Sequence, residues 1–111
     1  TFRDPMPDQT QHAFRALADP TRRDILRLLS AQELTIAEVS THFDMTRAAV
    51  KKHLTVLNDG GLISVETRGR ERVNRINPTG LAPVLSWFEV FDHFWDDRLA
   101  ALKTAIEKDI Q

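Results

Sequence analysis

The sequence predicts a mainly α protein with one small β-hairpin, ordered as helices, hairpin and a long C-terminal helix. Three observations carry that prediction. Apolar residues recur at helical spacing in segments up to Asp59. Between Leu62 and Ile76 the period switches to strand-like alternation around a glycine. From Leu81 onward an aromatic-rich stretch resumes helical spacing.

Residues 1–8 hold two prolines and no periodicity, and read as a loose tail. Ala13, Phe14 and Leu17 then place a short helix over residues 9–18, stopped by Asp19-Pro20. The same pair opens the next helix, with Asp19 as N-cap and Pro20 at the first helical position, where its missing N–H costs little. Ile25, Leu26, Leu28 and Leu29 form its buried stripe, with Arg23 and Arg27 toward solvent. Thr35 and Glu38 have capping-box spacing and open a helix to about His42, with Ile36, Val39 and Phe43 inward. After a turn at Asp44-Met45, Thr46 caps a longer helix. It ends at Asp59-Gly60-Gly61, where glycine suits a left-handed C-terminal cap. Val50, Leu54 and Leu57 are its core side.

Leu62–Thr67 and Arg72–Ile76 alternate as two strands joined by Arg68-Gly69-Arg70-Glu71. Asn77-Pro78-Thr79-Gly80 breaks the hairpin. One helix, interrupted early by Pro83, follows over 81–110. Two short helices around a tight turn (35–59) followed by a basic hairpin (62–76) make a winged helix-turn-helix, one domain over 1–111.

The net charge of −1 conceals an asymmetry. Residues 1–44 carry net −2, residues 45–85 net +4 and residues 86–111 net −3. The middle third is where a polyanion would bind. A recognition helix seated in a major groove, about 12 Å wide, is read through the residues left outside when its core face is buried. Those are Thr46, Arg47, Ala48, Lys51, Lys52 and Thr55. Arg47 is the candidate for paired hydrogen bonds to guanine, and Ala48 for a thymine methyl. Lys51 and Lys52 suit phosphates. Arg68 and Arg70 put two cations on the hairpin tip, while Arg72 and Arg75 sit lower and can pair with Glu66 or Glu71.

The last helix has two apolar stripes, Val84-Trp87-Phe91-Phe94 and Phe88-Trp95-Leu99-Leu102-Ile106. A helix apolar on two faces must be covered on two faces, and a short chain covers one. The second expects a symmetry mate, which makes the DNA-binding form a homodimer. The dimer-interface candidates are Phe14 and Leu17 with Trp87, Phe88, Phe91, Trp95, Leu99 and Leu102.

Zero cysteines exclude disulfides, thiolate metal sites and cysteine nucleophiles. No stretch reaches the roughly 20 apolar residues a membrane span needs, and no signal-peptide pattern opens the chain, which points to the cytoplasm. Phosphate-loop, nucleophile-elbow and HExxH motifs are all lacking, and Asp96 and Asp97 diverge as helix neighbours, so the sequence reads as no enzyme.

With these residues placed, the chain resembles the ArsR/SmtB family of repressors. Phe14–Leu26, Glu33–Val39, Met45–Leu54 and Leu57–Ile63 carry the resemblance, and Phe94–Leu99 is similar to one branch of it. It implies a dimer joined by first and last helices, and DNA contacts at Arg47, Ala48, Lys51, Lys52, Arg68 and Arg70. Lys51 stands where many members carry serine, so their base preference does not transfer. The cysteines by which many members sense metals are missing from Leu34–Glu38. Glu89, His93 and Asp97 are weak metal candidates only, since no histidine follows His93, and no cofactor is expected. His12, His42 and His53 read as structural. Two other readings compete: a winged-helix protein-interaction module without DNA binding, and a repressor with a small organic effector held near Trp87 and Trp95.

Overall fold

The computed structural model describes residues 6–110. The elements are α1 (Asp8–Leu17), α2 (Pro20–Ala31), β1 (Leu34–Thr35), α3 (Ile36–Ser40), α4 (Arg47–Asp59), β2 (Ile63–Arg68), β3 (Glu71–Ile76), α5 (Pro78–Phe88), a 3₁₀ turn (Glu89–Phe91) and α6 (Asp92–Ile110). α1 begins inside the expected tail, whose residues 1–5 lie outside the described residues.

The corner between α1 and α2 is closed by short-range polar chemistry. The Asp19 carboxylate accepts the Arg22 backbone N–H at 3.0 Å, and Pro20 occupies the first turn. Arg22 and Arg23 then turn back onto the open end of α1. Arg22 Nε donates to the Ala16 carbonyl (2.8 Å), Arg22 Nη2 to Arg15 (3.0 Å) and Arg23 Nη1 to Leu17 (2.8 Å). Cations on terminal carbonyls also complement the helix dipole. The backbone hydrogen bond from Arg22, with the charges of Arg22 and His53, holds the Asp19 carboxyl below the usual carboxylate range. A depressed folded-state pKa stabilises the fold above the unfolded value of about 4, and that contribution is lost as pH falls through the folded value. Asp19→Ala is expected to cost about 1 kcal/mol in urea unfolding at neutral pH, with Asp19→Asn, which keeps a capping oxygen, costing less. Equal losses would show that the cap is not what Asp19 supplies.

The core is built where the sequence placed it. Ile25, Val39, Val50, Leu57, Leu62 and Ile63 are the largest fully buried side chains, and Leu29 and Leu54 complete the apolar faces of α2 and α4. Leu26 and Leu28 are only half-buried against this cluster. At the end of α4, Gly61 takes φ +75°, while Leu62 N donates to Leu57 O (3.1 Å) and Gly61 N to Asn58 O (2.9 Å). That pair of bonds is the left-handed cap the glycine expectation requires.

Three expectations change. The hairpin is two strands of a three-stranded antiparallel sheet in the order β1-β3-β2, with Leu34 opposite Asn74 and Thr35 opposite Val73. Two residues are too few to show a period, and Thr35 is also the cap of α3, where both hydrogen bonds of the capping box form. α3 ends at Ser40 rather than His42. Thr41, His42 and Phe43 donate to carbonyls three residues back, and Ser40 and Thr41 hydroxyls bond backbone carbonyls of the same turn. Such side-chain back-bonding tightens a helix end. The C-terminal helix is two helices. α5 starts at Pro78, with proline in the first turn as in α2 but without a side-chain cap from Asn77, and runs through Pro83. The interruption comes instead at Glu89–Phe91.

Candidate nucleic-acid interface

With Val50, Leu54 and Leu57 in the core, α4 turns Arg47, Ala48, Lys51, Lys52 and Thr55 outward, all exposed. Facing Arg47, Ala48, Lys51 and Thr55 across a cleft of about 720 Å³ stands the β2–β3 wing, which contributes Arg70, Glu71, Arg72, Val65 and Asn74. The start of α3 closes one side of the cleft, and Asn58 marks the far end of α4. Lys52 is not part of the lining and lies on the adjoining exposed surface of α4. Among the described residues, none of the ion pairs involves Arg47, Lys51, Lys52, Arg70 or Arg72.

Two of the outward candidates use their hydroxyls on the helix itself, Thr46 as the expected cap. Thr46 Oγ1 accepts the Ala49 N–H (3.1 Å), and Thr55 Oγ1 donates to the Lys51 carbonyl (3.0 Å). Thr46 keeps its hydroxyl hydrogen to donate, whereas Thr55 has committed its donor and offers acceptor lone pairs. On the inner side of α4, His53 lies 3.9 Å from Asp19 and 3.5 Å from Arg22, so this histidine ties the helix to the α1–α2 corner.

The wing divides its arginines by the pleat. Gly69 and Arg70 form a two-residue loop in which Gly69 has φ +63° and Arg70 has no positive φ, the requirement of a II′ hairpin turn. The resulting register pairs Ser64 with Arg75, Glu66 with Val73 and Arg68 with Glu71, while Val65 pairs with Asn74 and Thr67 with Arg72. Cross-strand partners share a face. Arg72, with Asn74 and Val65, therefore looks into the cleft, and Arg68 and Arg75 look away from it. Arg68 Nη1 lies 2.8 Å from Glu33 and Nη2 2.9 Å from Glu66, and Arg75 Nη1 lies 3.8 Å from the same Glu66 oxygen. The expectation of Arg68 as a free cation at the tip is thus corrected: it is a strand residue held by two carboxylates. Arg72 is the residue that sequence reasoning undervalued. The expected strands already set Thr67 opposite Arg72, as observed; what the sequence does not show is which face of the hairpin meets α4.

α5 packs on α1, and α6 then leaves the body of the chain. Val84 is buried, and Trp87 packs edge-on against Phe14 (ring centroids 5.5 Å) and beside Phe88 and Phe91 (5.2 and 5.1 Å). Leu17 is half-buried, like Phe14 and Trp87. Beyond that contact, Phe94, Trp95, Leu99, Leu102 and Ile106 are exposed, Trp95 by 51% and Leu99 by 63%. The radius of gyration, 18.6 Å, exceeds the roughly 13 Å of a compact chain this long because α6 projects outward. The expected division into one self-covered stripe and one open stripe holds only within α5; along α6 both are open. Among the described residues no three His, Asp or Glu side chains converge on a metal position, and Glu89, His93 and Asp97 are not brought together. The 3₁₀ turn at Glu89 breaks the helical phase on which that trio depended. The cleft, and an apolar groove lined by Leu26, Ile76, Pro78 and Leu81, both lie away from the Trp87–Trp95 region proposed for an effector.

Comparison with known proteins agrees with this geometry. Residues 17–66 match the model of a helix-turn-helix domain family. The transcriptional repressor SdpR of Bacillus subtilis is 31% identical over 88 residues, covering 79% of this chain and 98% of that protein. The crystal structure of an ArsR family transcriptional regulator superposes with a TM-score of 0.74 at 34% identity, covering 85% of this chain and 97% of the other. A winged helix-turn-helix DNA-binding domain from Mycobacterium bovis, homodimeric in its solution structure, matches with a TM-score of 0.63 at 27% identity over 78% of this chain and 80% of that one.

Proposed function

The chain belongs to the ArsR family of winged helix-turn-helix transcriptional regulators, and from that membership we infer a homodimeric, sequence-specific DNA-binding repressor that works in the cytoplasm by occupying a promoter. The observation that carries the reading is the cleft between α4 and the wing. It presents Arg47, Lys51, Arg70 and Arg72 with no carboxylate engaging them, in a chain whose net charge is −1. Cations left unpaired on one face of an otherwise acidic protein are a polyanion footprint.

In this reading α4 enters the major groove by its N-terminal half. Arg47 donates two parallel hydrogen bonds to a guanine edge, and Ala48 meets a thymine methyl. Lys51 and Lys52 hold flanking phosphates, and Arg70 with Arg72 reaches the backbone beside the groove. Thr46 and Thr55 support the helix and offer acceptors. Residues 1–111 act as one domain, with 35–59 as the helix-turn-helix, 62–76 as the wing, and 9–18 with 81–110 as the dimerisation helices. Phe88, Trp95, Leu99 and Leu102 are all exposed, and in this reading a second copy covers them about a twofold axis. Such an axis sets two recognition helices about 34–36 Å apart, one turn of DNA.

The test is binding to a duplex from upstream of its own gene and to a scrambled duplex across a salt series, with sedimentation of the same sample. A dimer preferring its own duplex by roughly 10³-fold supports the reading. No binding to either duplex at low salt sinks it in favour of a protein-interaction module.

A further inference from the structure

We propose that Glu33 and Glu66 form a carboxylate clasp that neutralises the outer face of the wing, so that the wing meets DNA through Arg70 and Arg72 and binds less of its backbone without regard to sequence. The inference rests on the DNA-binding reading above and goes beyond it, because it assigns two acidic residues a part in specificity.

The geometry comes from three elements that the chain brings together. Glu33 stands just ahead of β1, and Glu66 and Arg68 are on β2, two residues apart and therefore on one face. β3 supplies Arg75, whose Nε donates to Ser64 Oγ at 3.2 Å while Nη1 faces Glu66. Arg68 uses both terminal nitrogens, one on each carboxylate, at 2.8 and 2.9 Å. Both distances are those of charge-assisted hydrogen bonds. These bonds hold the Glu66 carboxyl below its usual range and raise the Arg68 guanidinium further, so both stay ionised together.

Two cations and two anions thus cancel on this face. Toward the cleft the wing carries Arg70 and Arg72 against the single carboxylate of Glu71, which makes no ion pair with either. Each side chain of the clasp is about half exposed. Exposed pairs contribute little to stability, so the arrangement is not needed to hold the hairpin. Its consequence is electrostatic. A phosphate approaching the outer face finds Arg68 held by two carboxylates and Arg75 beside one of them. A phosphate approaching the cleft finds free guanidinium groups. Because non-specific affinity scales with the number of phosphates neutralised, withholding Arg68 and Arg75 lowers that background while leaving base readout by α4 intact.

The experiment measures binding of scrambled duplex across a salt series for four full-length proteins: wild type, Arg68→Gln, Glu33→Gln/Glu66→Gln, and the triple variant. Glutamine keeps the length and shape of each replaced carboxylate. The clasp predicts that Glu33→Gln/Glu66→Gln steepens the salt slope by about 0.9 for each phosphate newly held. At low salt it should tighten binding roughly two- to fivefold, the worth of an exposed ion pair. Arg68→Gln should take most of that gain back in the neutralised background and change the slope much less in the wild-type background. Thermal melts should be alike across the set. If Arg68→Gln lowers the slope equally in both backgrounds, Arg68 was never withheld and the clasp fails, while DNA binding stands. If no variant binds any duplex, the DNA-binding reading itself fails and takes the clasp with it.

Discussion

Arg47→Ala/Lys51→Ala/Lys52→Ala is expected to lose between about 10² and 10⁴ in affinity for the specific duplex while melting within a few degrees of wild type. A bidentate arginine–guanine contact is worth about 1–3 kcal/mol, and two lost phosphate contacts lower the salt slope by about 1.8. The fold should not notice. All three side chains are exposed, and none takes part in the ion pairs or side-chain hydrogen bonds of the described residues. Exposed substitutions of this kind usually change stability by less than about 0.5 kcal/mol, and alanine favours the helix. The single variants separate the roles. Arg47→Ala should relax base preference at one position, whereas Lys51→Ala and Lys52→Ala should weaken all duplexes alike. Titration of matched and single-substituted duplexes reads this directly. Unchanged affinity in the triple variant would remove α4 from the interface.

Gly80→Ala should act in the opposite way, destabilising the fold without touching the DNA face. A glycine inside a helix is ordinarily a weak point, and alanine there stabilises by roughly 0.5–1 kcal/mol. Here a Cβ on Gly80 would lie 1.5 Å from the carbonyl oxygen of Gly61. Both are backbone positions, so no side chain can swing aside. Nor can α5 simply lift away. Asn77 Nδ2 donates to that same Gly61 carbonyl at 3.0 Å, and Asn77 N donates to Leu62 O at 2.9 Å. On the far side, Gly60 packs against α1, where a Cβ would meet the His12 carbonyl at 3.0 Å and the Ala16 Cβ at 3.2 Å. Ordinary overpacking costs about 1–3 kcal/mol, and a backbone overlap should exceed it, reaching about 4 kcal/mol. That is a large share of a typical stability of about 5–15 kcal/mol. Urea unfolding measures it, and a midpoint at or above that of wild type would show that the junction yields.

These two sites mark where reading the chain succeeds and where it stops. The recognition helix was legible because its information is local. Thr46 caps, Val50, Leu54 and Leu57 repeat at the helical period, and the outward residues follow by subtraction. The Asp19-Pro20 and Thr35–Glu38 starts were legible for the same reason, since a cap is satisfied within four residues of itself. Gly80 carried no such signal. In sequence it reads as one glycine of a turn, and its meaning lies in a carbonyl 19 residues earlier in the chain, at Gly61.

The wing shows the same division at finer scale. Alternating residues announced two strands, and their register is the same whether the loop holds two residues or four, but which face of the hairpin meets the cleft is set by how the wing packs against α3 and α4. Glu33 could not be linked to Arg68 from the sequence at all, because only the pairing of β1 with β3 brings that segment beside the wing. By itself, then, the sequence determined the helices, their caps, the buried stripes and the basic segment, all of which rest on interactions between near neighbours. Tertiary structure alone decided which cations are free and how tightly α5 seats on the end of α4. Those outcomes depend on contacts between residues far apart in the chain, whose geometry no local period encodes.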